Sequence, residues 1–164
     1  MISLSIVVAD ATRARLYTFE QMESADGGHA QEMHERISLV HPARRRRPSE
    51  LFTDSRPGAD RAPNGRGFAH DDHREAALRH MDRQFATDIV DELERLVRTH
   101  GHREVILSAS PRMLGMMREL TGRLEHAGVT FHQIDRDLVR LTRSQLQDHL
   151  SGRGLLPQRE RLGA

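Results

Sequence analysis

Apolar and polar residues alternate along the first forty residues of the chain, and this period of two predicts β-strands. Residues 2–8 are apolar at every second position and partly apolar in between, which is typical of a strand buried on both faces. Residues 15–19 and 33–40 show a similar alternation, and a turn-forming segment with Asp26-Gly27-Gly28 separates them. We therefore predict three antiparallel strands in this part of the chain.

The apolar period lengthens to about 3.6 residues after the segment 42–71, and this change predicts a helix. Residues at spacings of three and four form one apolar stripe from about Asp72 to His100, namely Leu78, Met81, Phe85, Ile89, Leu93 and Leu96. The glycine at position 101 is predicted to end this helix.

Shorter strand and helix patterns alternate over the rest of the chain. Residues 104–109 and 129–134 predict two further strands. Between them, Ser110-Pro111 predicts the start of a helix that stops near position 128 and buries Leu114, Met117, Leu120 and Leu124. The sequence Thr142-Arg143-Ser144-Gln145 has the form of a capping box, which predicts a last short helix.

The order of these elements, βββαβαβα, predicts a single α/β domain over residues 1–150. A three-stranded meander followed by alternating helices and strands fits a mixed five-stranded sheet in the order 3-2-1-4-5, covered by helices. This is the three-layer, ribonuclease H-like topology. Residues 151–164 are rich in Gly and Arg, and we expect them to form a flexible tail.

The segment 42–71, a long loop between the third strand and the first helix, is the strongest candidate for function. Between positions 42 and 68 it holds three acidic residues and seven arginines, a net charge of 7 − 3 = +4, the arginines being Arg44, Arg45, Arg46, Arg47, Arg56, Arg61 and Arg66. Concentrated positive charge in a chain of net charge +1 is typical of polyanion binding. We assign these arginines as candidate phosphate contacts, with Gly65 and Gly67 allowing close approach of the backbone. A solvated, partly disordered loop is the alternative.

Composition excludes several other functions. The chain has no cysteine, so it can form neither a disulfide framework nor a thiolate metal site. No stretch reaches membrane-spanning length, and the first residues resemble a core strand rather than a signal peptide, so we expect a cytoplasmic protein without membrane insertion. The loop lacks the Gly-Lys-Ser/Thr of a phosphate-binding Walker loop, and no Gly-x-Ser-x-Gly elbow is present.

Three carboxylates near predicted strand ends could hold magnesium in a nuclease, namely Asp10, Asp135 and Asp137. The fourth strand ends in Ser-Ala-Ser and supplies no carboxylate, so turn and cap roles are the favoured interpretation.

Imidazoles and carboxylates also meet at the predicted start of the long helix. His70, Asp72 and His73 are weak candidates for metal ligands, because no second ligand pair with recognised spacing follows them. A helix cap with solvated histidines is the favoured interpretation, so we expect neither a metal nor a cofactor.

Five segments together resemble the bacterial host attachment protein family, and they extend over nearly all of residues 2–150. They read SIVVADATRARLY, SRPG, HDDHREAALRHMDRQFATDIVDELE, EVILSASPRMLGMMRELT and IDRDLVRLTRSQLQDHL. The family takes its name from a requirement in attachment to host cells. It is similar to the middle domain of archaeal and eukaryotic class-one release factors and of Pelota, which has a ribonuclease H-like topology.

The resemblance to release factors implies a role for the loop. In those proteins the loop between the third strand and the long helix carries Gly-Gly-Gln, which positions water for ester hydrolysis. Here that location holds Gly65-Arg66-Gly67-Phe68, and the glutamine is absent. The resemblance thus implies a non-enzymatic factor that touches ribosomal RNA or tRNA rather than a peptidyl-tRNA hydrolase.

Three hypotheses of function follow from the sequence. The leading one is a non-enzymatic RNA- or ribosome-associated factor that contacts phosphates through the arginines of the loop. The second is a protein-interaction module in host attachment or biofilm physiology, whose loop orders on a protein partner. The third is a metal-dependent nuclease or phosphodiesterase. The oligomeric state stays open, since the third or fifth strand could pair between copies at a sheet edge.

Overall fold

Five strands form one sheet in the computed structural model, which describes residues 1–45 and 68–159, with only the backbone of residues 44, 45 and 68–70. The strands are β1 (Ile2–Ala9), β2 (Arg13–Glu23), β3 (His29–Val40), β4 (Glu104–Ala109) and β5 (Thr130–Ile134). Their order is β3-β2-β1-β4-β5. β1 pairs antiparallel with β2 and parallel with β4, so the predicted mixed sheet and its strand order are confirmed.

Helices connect and flank these strands. They are α1 (Pro42–Arg45), α2 (Phe68–His100), α3 (Pro111–Arg118), α4 (Gly122–His126) and α5 (Arg143–Gly152). Gly101 ends α2 with a φ of +65°, a backbone conformation that glycine adopts without steric cost. Thr142 and Gln145 form both hydrogen bonds of the predicted capping box at the start of α5.

Both faces of β1 are buried, as its apolar pattern predicts. Val7 and Ala9 belong to a first core, in which α2 supplies Phe85, Ile89 and Leu93. Leu4, Ile6 and Val8 point to the opposite face and belong to a second core with Tyr17, Phe19 and residues of the C-terminal part, which are Leu138, Val139, Leu146, Leu150 and Leu156. The sheet is therefore the middle layer between two apolar layers.

Two strands are longer than their apolar alternation predicts. The ladder between β2 and β3 continues outward to the pair of Glu23 and His29, beyond the predicted ranges 15–19 and 33–40. Backbone pairing extends these strands where no apolar face marks them, and a tight turn joins them, with Gly27 at a φ of +83°.

The predicted helix after Ser110 is wrong in its extent, because α3 and α4 are separate. The Oγ1 atom of Thr121 donates to the carbonyl of Arg118 at 3.1 Å, a local bond that competes with helix continuation, and Gly122 begins α4. Leu120 lies in the break between the helices and is exposed, whereas the sequence predicts that it is buried.

Residues 151–159 pack against the domain, in contrast to the flexible tail expected from residue 151. Leu156 is buried in the second core, and the Ser151 hydroxyl donates to the carbonyl of Pro157 at 2.8 Å. The side-chain amide of Gln31 on β3 donates to the carbonyl of Gln158 at 3.0 Å. The segment has few apolar residues, so its sequence pattern does not indicate these contacts, which involve Leu155, Leu156 and hydrogen bonds. Among the described residues, no helix is both long and apolar enough to cross a membrane.

Candidate functional site

The sheet has an edge at which several strands end together. β3 and β1 both pair antiparallel with β2, so they run in the same direction, and β4 and β5 run parallel to β1. The carboxyl ends of β1, β3, β4 and β5 therefore lie at one edge, which we call the C-terminal edge. In open α/β sheets this is the edge where ligands bind. The basic segment 42–71 begins there, directly after β3.

His41 anchors the start of this segment to the sheet. Its side chain is buried, and its backbone N–H donates to the carbonyl of Thr12 in the turn between β1 and β2 at 2.7 Å. The backbone N–H of Ala43 donates to Nδ1 of the same imidazole at 3.1 Å. A neutral ring that accepts at Nδ1 carries its proton on Nε2. The chain is thus fixed at the point where the basic segment begins.

A buried carboxylate joins this anchor to two helices. Nε2 of His41 lies 3.0 Å from Oδ1 of Asp82, a buried carboxylate on α2. The other carboxylate oxygen, Oδ2, lies 3.3 Å from the guanidinium of Arg112 on α3, which is largely exposed. The ring of Phe85 packs against the imidazole, with centroids 5.0 Å apart. β3, α2 and α3 are held together through Asp82, next to a cavity of about 330 Å³.

Most of the predicted phosphate contacts lie outside the described residues. These are Arg46, Arg47, Arg56, Arg61 and Arg66, together with Gly65 and Gly67. Arg44 and Arg45 belong to α1, of which only the backbone is described there. Further exposed arginines follow strand ends or flank them at the C-terminal edge, and they are Arg13, Arg112, Arg136 and Arg140. The described part of this edge carries charges of both signs, because Asp10, Asp135 and Asp137 lie there as well and Arg112 is paired with Asp82.

Two of the three predicted nuclease carboxylates have local structural partners, and the third, Asp135, is exposed directly after β5. Oδ1 of Asp10 accepts hydrogen bonds from the backbone N–H groups of Thr12 and Arg13, at 2.7 and 2.8 Å. Partial burial acts to raise the pKa of Asp10, but these bonds outweigh it and hold the pKa below its usual value. Oδ1 of Asp137 accepts from the N–H of Val139 at 3.1 Å. Both carboxylates thus close turns, the role that the sequence analysis favours.

The weak metal candidates are not brought together with other ligands. Asp72 and His73 are exposed in the first turns of α2, and the side chain of His70 lies outside the described part of the structure. Within the described part, they belong to no group of three potential metal ligands.

A different set of potential metal ligands does converge, at the edge of the sheet opposite to the C-terminal edge. One ligand atom each from Glu20, His100 and His102 lies within 4.8 Å of the others, and we call this set the Glu-His-His cluster. Burial lowers the pKa of His102 below its usual value, and His100 lowers it further, while Glu20 acts in the opposite direction. The His-Gly-His sequence at 100–102 is the one local signal that could have indicated the cluster.

Comparison with known proteins identifies a family. The sequence model of the family described as "Protein required for attachment to host cells" matches residues 5–150. A search of curated proteins gives no match. The matched range includes most of β1, all of the other four strands, both ends of the basic segment and the Glu-His-His cluster. The chain therefore belongs to the family of proteins required for attachment to host cells.

Proposed function

We propose that this member of the host attachment family is a non-enzymatic RNA-associated factor that contacts phosphates, those of ribosomal RNA or tRNA, through its basic segment. The observation that carries the proposal is the position of the segment. Seven arginines against three acidic residues lie between position 42 and position 68, directly after the buried anchor at His41. Arginine guanidinium groups match phosphate oxygens in geometry and charge.

Fixing both ends of the segment favours such a contact. His41 is held by the turn after β1 and paired with Asp82, so the segment leaves the domain at a defined place, and α2 begins where it ends. A basic segment that is tethered at both ends loses less conformational entropy on binding than a free tail does. The exposed Arg13, Arg136 and Arg140 of the C-terminal edge offer further guanidinium groups beside it, among the carboxylates of the same edge.

The resemblance to the middle domain of release factors and Pelota also indicates the basic segment as the functional loop. In the ribonuclease H-like topology that the strand order suggests, the functional loop of those factors lies between the third strand and the long helix. The basic segment occupies this place in the present chain. Because the release-factor glutamine is replaced by the sequence Gly65-Arg66-Gly67-Phe68, we propose binding without ester hydrolysis.

Co-sedimentation with purified ribosomes over a series of salt concentrations tests the proposal. The loop variant changes Arg44, Arg45, Arg46 and Arg47 to alanine. The control variant removes the same charge from exposed positions on α2 and α4, by changing Arg79, Arg95, Arg98 and Arg123 to alanine. Three of these control arginines form only surface ion pairs with neighbours on α2, so their loss costs little stability.

We expect the wild type and the control variant to pellet with ribosomes at low salt and the loop variant to stay in solution. Each phosphate contact contributes roughly 0.7–0.9 to the slope of log affinity against log salt. Loss of four contacts should therefore reduce that slope by about three. Equal sedimentation of the two variants, or binding of the wild type that does not respond to salt, would contradict the proposal. Nuclease-resistant capture of a defined protein by the same arginines would favour a protein-interaction module instead.

A further inference from the structure

The Glu-His-His cluster lies where α2 ends and β4 is about to begin. Glu20 projects from β2 and the two histidines come from the end of α2 and the loop after it, residues that are about eighty positions away along the chain. Their potential ligand atoms lie within 4.8 Å of one another. We propose that this cluster binds a divalent transition-metal ion of the Zn²⁺ class.

The buried imidazole of His102 is the main argument. The side chain is almost completely buried, and its Nδ1 lies 2.8 Å from the hydroxyl of Ser5 on β1. The other ring nitrogen, Nε2, is also buried and has no hydrogen-bond partner among the described residues. A buried nitrogen without a partner is unfavourable, and metal coordination would satisfy it.

Ser5 provides the support that metal-bound histidines have in proteins. When Nδ1 carries the ring proton and donates it to Ser5, Nε2 presents its lone pair, which is the form that binds a metal. Ser5 lies on the same face of the sheet as Val7 and Ala9 of the first core, and its cross-strand partner there is the buried Thr18, so a small polar pair adjoins the apolar core next to His102. The hydroxyl of Ser5 has a function at this position if it orients His102.

The loop after α2 brings the two imidazoles together. Gly101 adopts a φ of +65°, and the backbone N–H of His102 donates to the carbonyl of Val97 at 3.1 Å, so the chain turns back on the end of the helix. The two imidazole rings stack at a centroid distance of 5.3 Å and an interplanar angle of 27°. Their position at the carbonyl end of α2 adds a partial negative charge, which favours a cation.

Further potential metal ligands lie on the neighbouring strand, β3. Glu32 on β3 is the direct cross-strand partner of Glu20, and His34 is that of Thr18 on the same face of the sheet. Glu32 and His34 form an ion pair of 3.1 Å at the surface. Two carboxylates on adjacent positions repel each other, and a bound cation between the strands would relieve that repulsion.

The ligand chemistry selects the class of metal. Two imidazoles and one carboxylate suit Zn²⁺ and related transition-metal ions, whereas Ca²⁺ and Mg²⁺ prefer oxygen ligands alone. Ligand atoms about 2.1 Å from a tetrahedral ion lie about 3.4 Å apart, so the cluster has to contract on binding. The side chains of Glu20 and His100 are not fully buried and can rotate towards the fixed His102. Three protein ligands would leave a coordination position open.

Titration calorimetry with Zn²⁺ tests the proposal on the full chain, purified without a histidine tag and treated with a chelator. The chain has 11 histidines, so site variants are needed to separate the cluster from adventitious binding. His100→Ala and Glu20→Gln each remove one ligand near the surface. His73→Ala is the matched control, an exposed histidine on the same helix that lies outside the cluster. Unfolding temperatures of the metal-free proteins check that all three variants fold.

We expect one Zn²⁺ per chain, at least tenfold weaker binding by His100→Ala and by Glu20→Gln, and unchanged binding by His73→Ala. Zinc should also raise the unfolding temperature of the wild type, because an ion that binds only the folded state stabilises it. If His100→Ala does not fold, the affinity of Glu20→Gln for Zn²⁺ alone decides whether the cluster binds the metal. Failure of the wild type to bind, unchanged affinity in both cluster variants, or loss of binding in His73→Ala would each overturn the proposal. The outcome does not depend on ribosome binding.

Discussion

Tyr17 gives a prediction about stability at high pH that can be worked out in magnitude. Its side chain is fully buried in the second core, and its hydroxyl has no hydrogen-bond partner among the described residues. Burial raises the pKa of Tyr17 from 10.0 to about 12, although the guanidinium of Arg15, 5.4 Å from the ring centroid, acts in the opposite direction. The phenol is thus harder to ionise in the folded chain than in the unfolded one.

The difference in pKa sets the loss of stability. Below pH 10 the phenol is protonated in both states, and the unfolding free energy does not depend on its titration. Above pH 10 the unfolded state loses this proton first, so Tyr17 lowers the free energy of unfolding until the pH passes about 12. At about 1.36 kcal/mol per pKa unit, the loss is about 1.4 kcal/mol at pH 11 and about 2.7 kcal/mol once both states are ionised.

The composition of the chain makes the assay direct. Tyr17 is the one tyrosine and there is no tryptophan, so the ultraviolet absorption of phenolate reports the ionisation of this residue alone. Urea unfolding at pH 9 and pH 11 then gives the change in stability for the wild type and for Tyr17→Phe. The phenylalanine variant keeps the ring but cannot ionise, so the difference between the two proteins isolates the phenol.

At neutral pH, we expect Tyr17→Phe to change the free energy of unfolding by less than about 1 kcal/mol, since it removes a hydroxyl without a partner. The wild type should lose about 1.4 kcal/mol relative to this variant between pH 9 and pH 11. A phenolate transition near pH 10 in the folded protein, or parallel pH curves for both proteins, would refute the argument from burial.

Two further predictions concern the anchor and the last helix, and urea unfolding measures both. Asp82→Ala leaves the buried His41 without its carboxylate partner, so it should lower the free energy of unfolding by about 3 kcal/mol, while Asp88→Ala at an exposed position of α2 should change it by less than about 0.5 kcal/mol. Equal losses of unfolding free energy in Asp82→Ala and Asp88→Ala would show that the pairing of His41 with Asp82 adds no particular stability. Thr142→Ala removes the capping bond to Gln145 and should cost about 1 kcal/mol, and Thr142→Ser should restore most of it.

The fold could be predicted because each element has its own pattern of apolar residues. β1 is apolar at both sets of alternate positions, and that pattern places it at the centre of the sheet, where the structure has it. The change of period after residue 71 marks α2, whose stripe packs on the first core through Phe85, Ile89 and Leu93. Strand order then follows from the few topologies that such an element order permits.

The details that could not be predicted depend on contacts without an apolar pattern. The outer parts of β2 and β3 are mostly polar and are held by backbone pairing and by hydrogen bonds such as that of Gln31. The break before Gly122 depends on one threonine hydroxyl, and the packing of residues 151–159 depends on Leu156 and on hydrogen bonds. Periodicity carries no information about such interactions, because they involve single side chains or main-chain groups.

The two candidate sites could not be predicted from the sequence for a different reason, which is the distance between their residues along the chain. His41 and Asp82 are 41 positions apart, and Glu20 is 80 positions from His100, so only the register of the strands and the path of α2 bring them together. In the sequence, each of these residues taken singly fits an ordinary local role and does not indicate a site. The buried imidazole of His102 becomes noticeable only when its burial is known and when Nε2 is seen to have no hydrogen-bond partner among the described residues.

Along one face of β1 the side chains change in polarity between the two sites. Along this face the side chains change from Ser3 and Ser5 to Val7 and Ala9, so apolar packing against α2 is confined to the half near the C-terminal edge. A face selected for packing alone would be apolar throughout, because a buried polar group costs stability unless it is satisfied. Ser5 is explained if the other half of the face supports the imidazole of His102 at the end of α2.

The same helix separates the two sites. The basic segment begins beside Asp82, which lies 18 residues before His100 on α2, so the two sites are about 27 Å apart along the helix. Charges in solution are screened over about 8–10 Å at moderate salt. A metal ion in the cluster therefore cannot alter phosphate binding where the basic segment begins through its charge. Any coupling between the two sites has to pass through the packing of α2 on the sheet, so substitutions in that interface are the test for coupling.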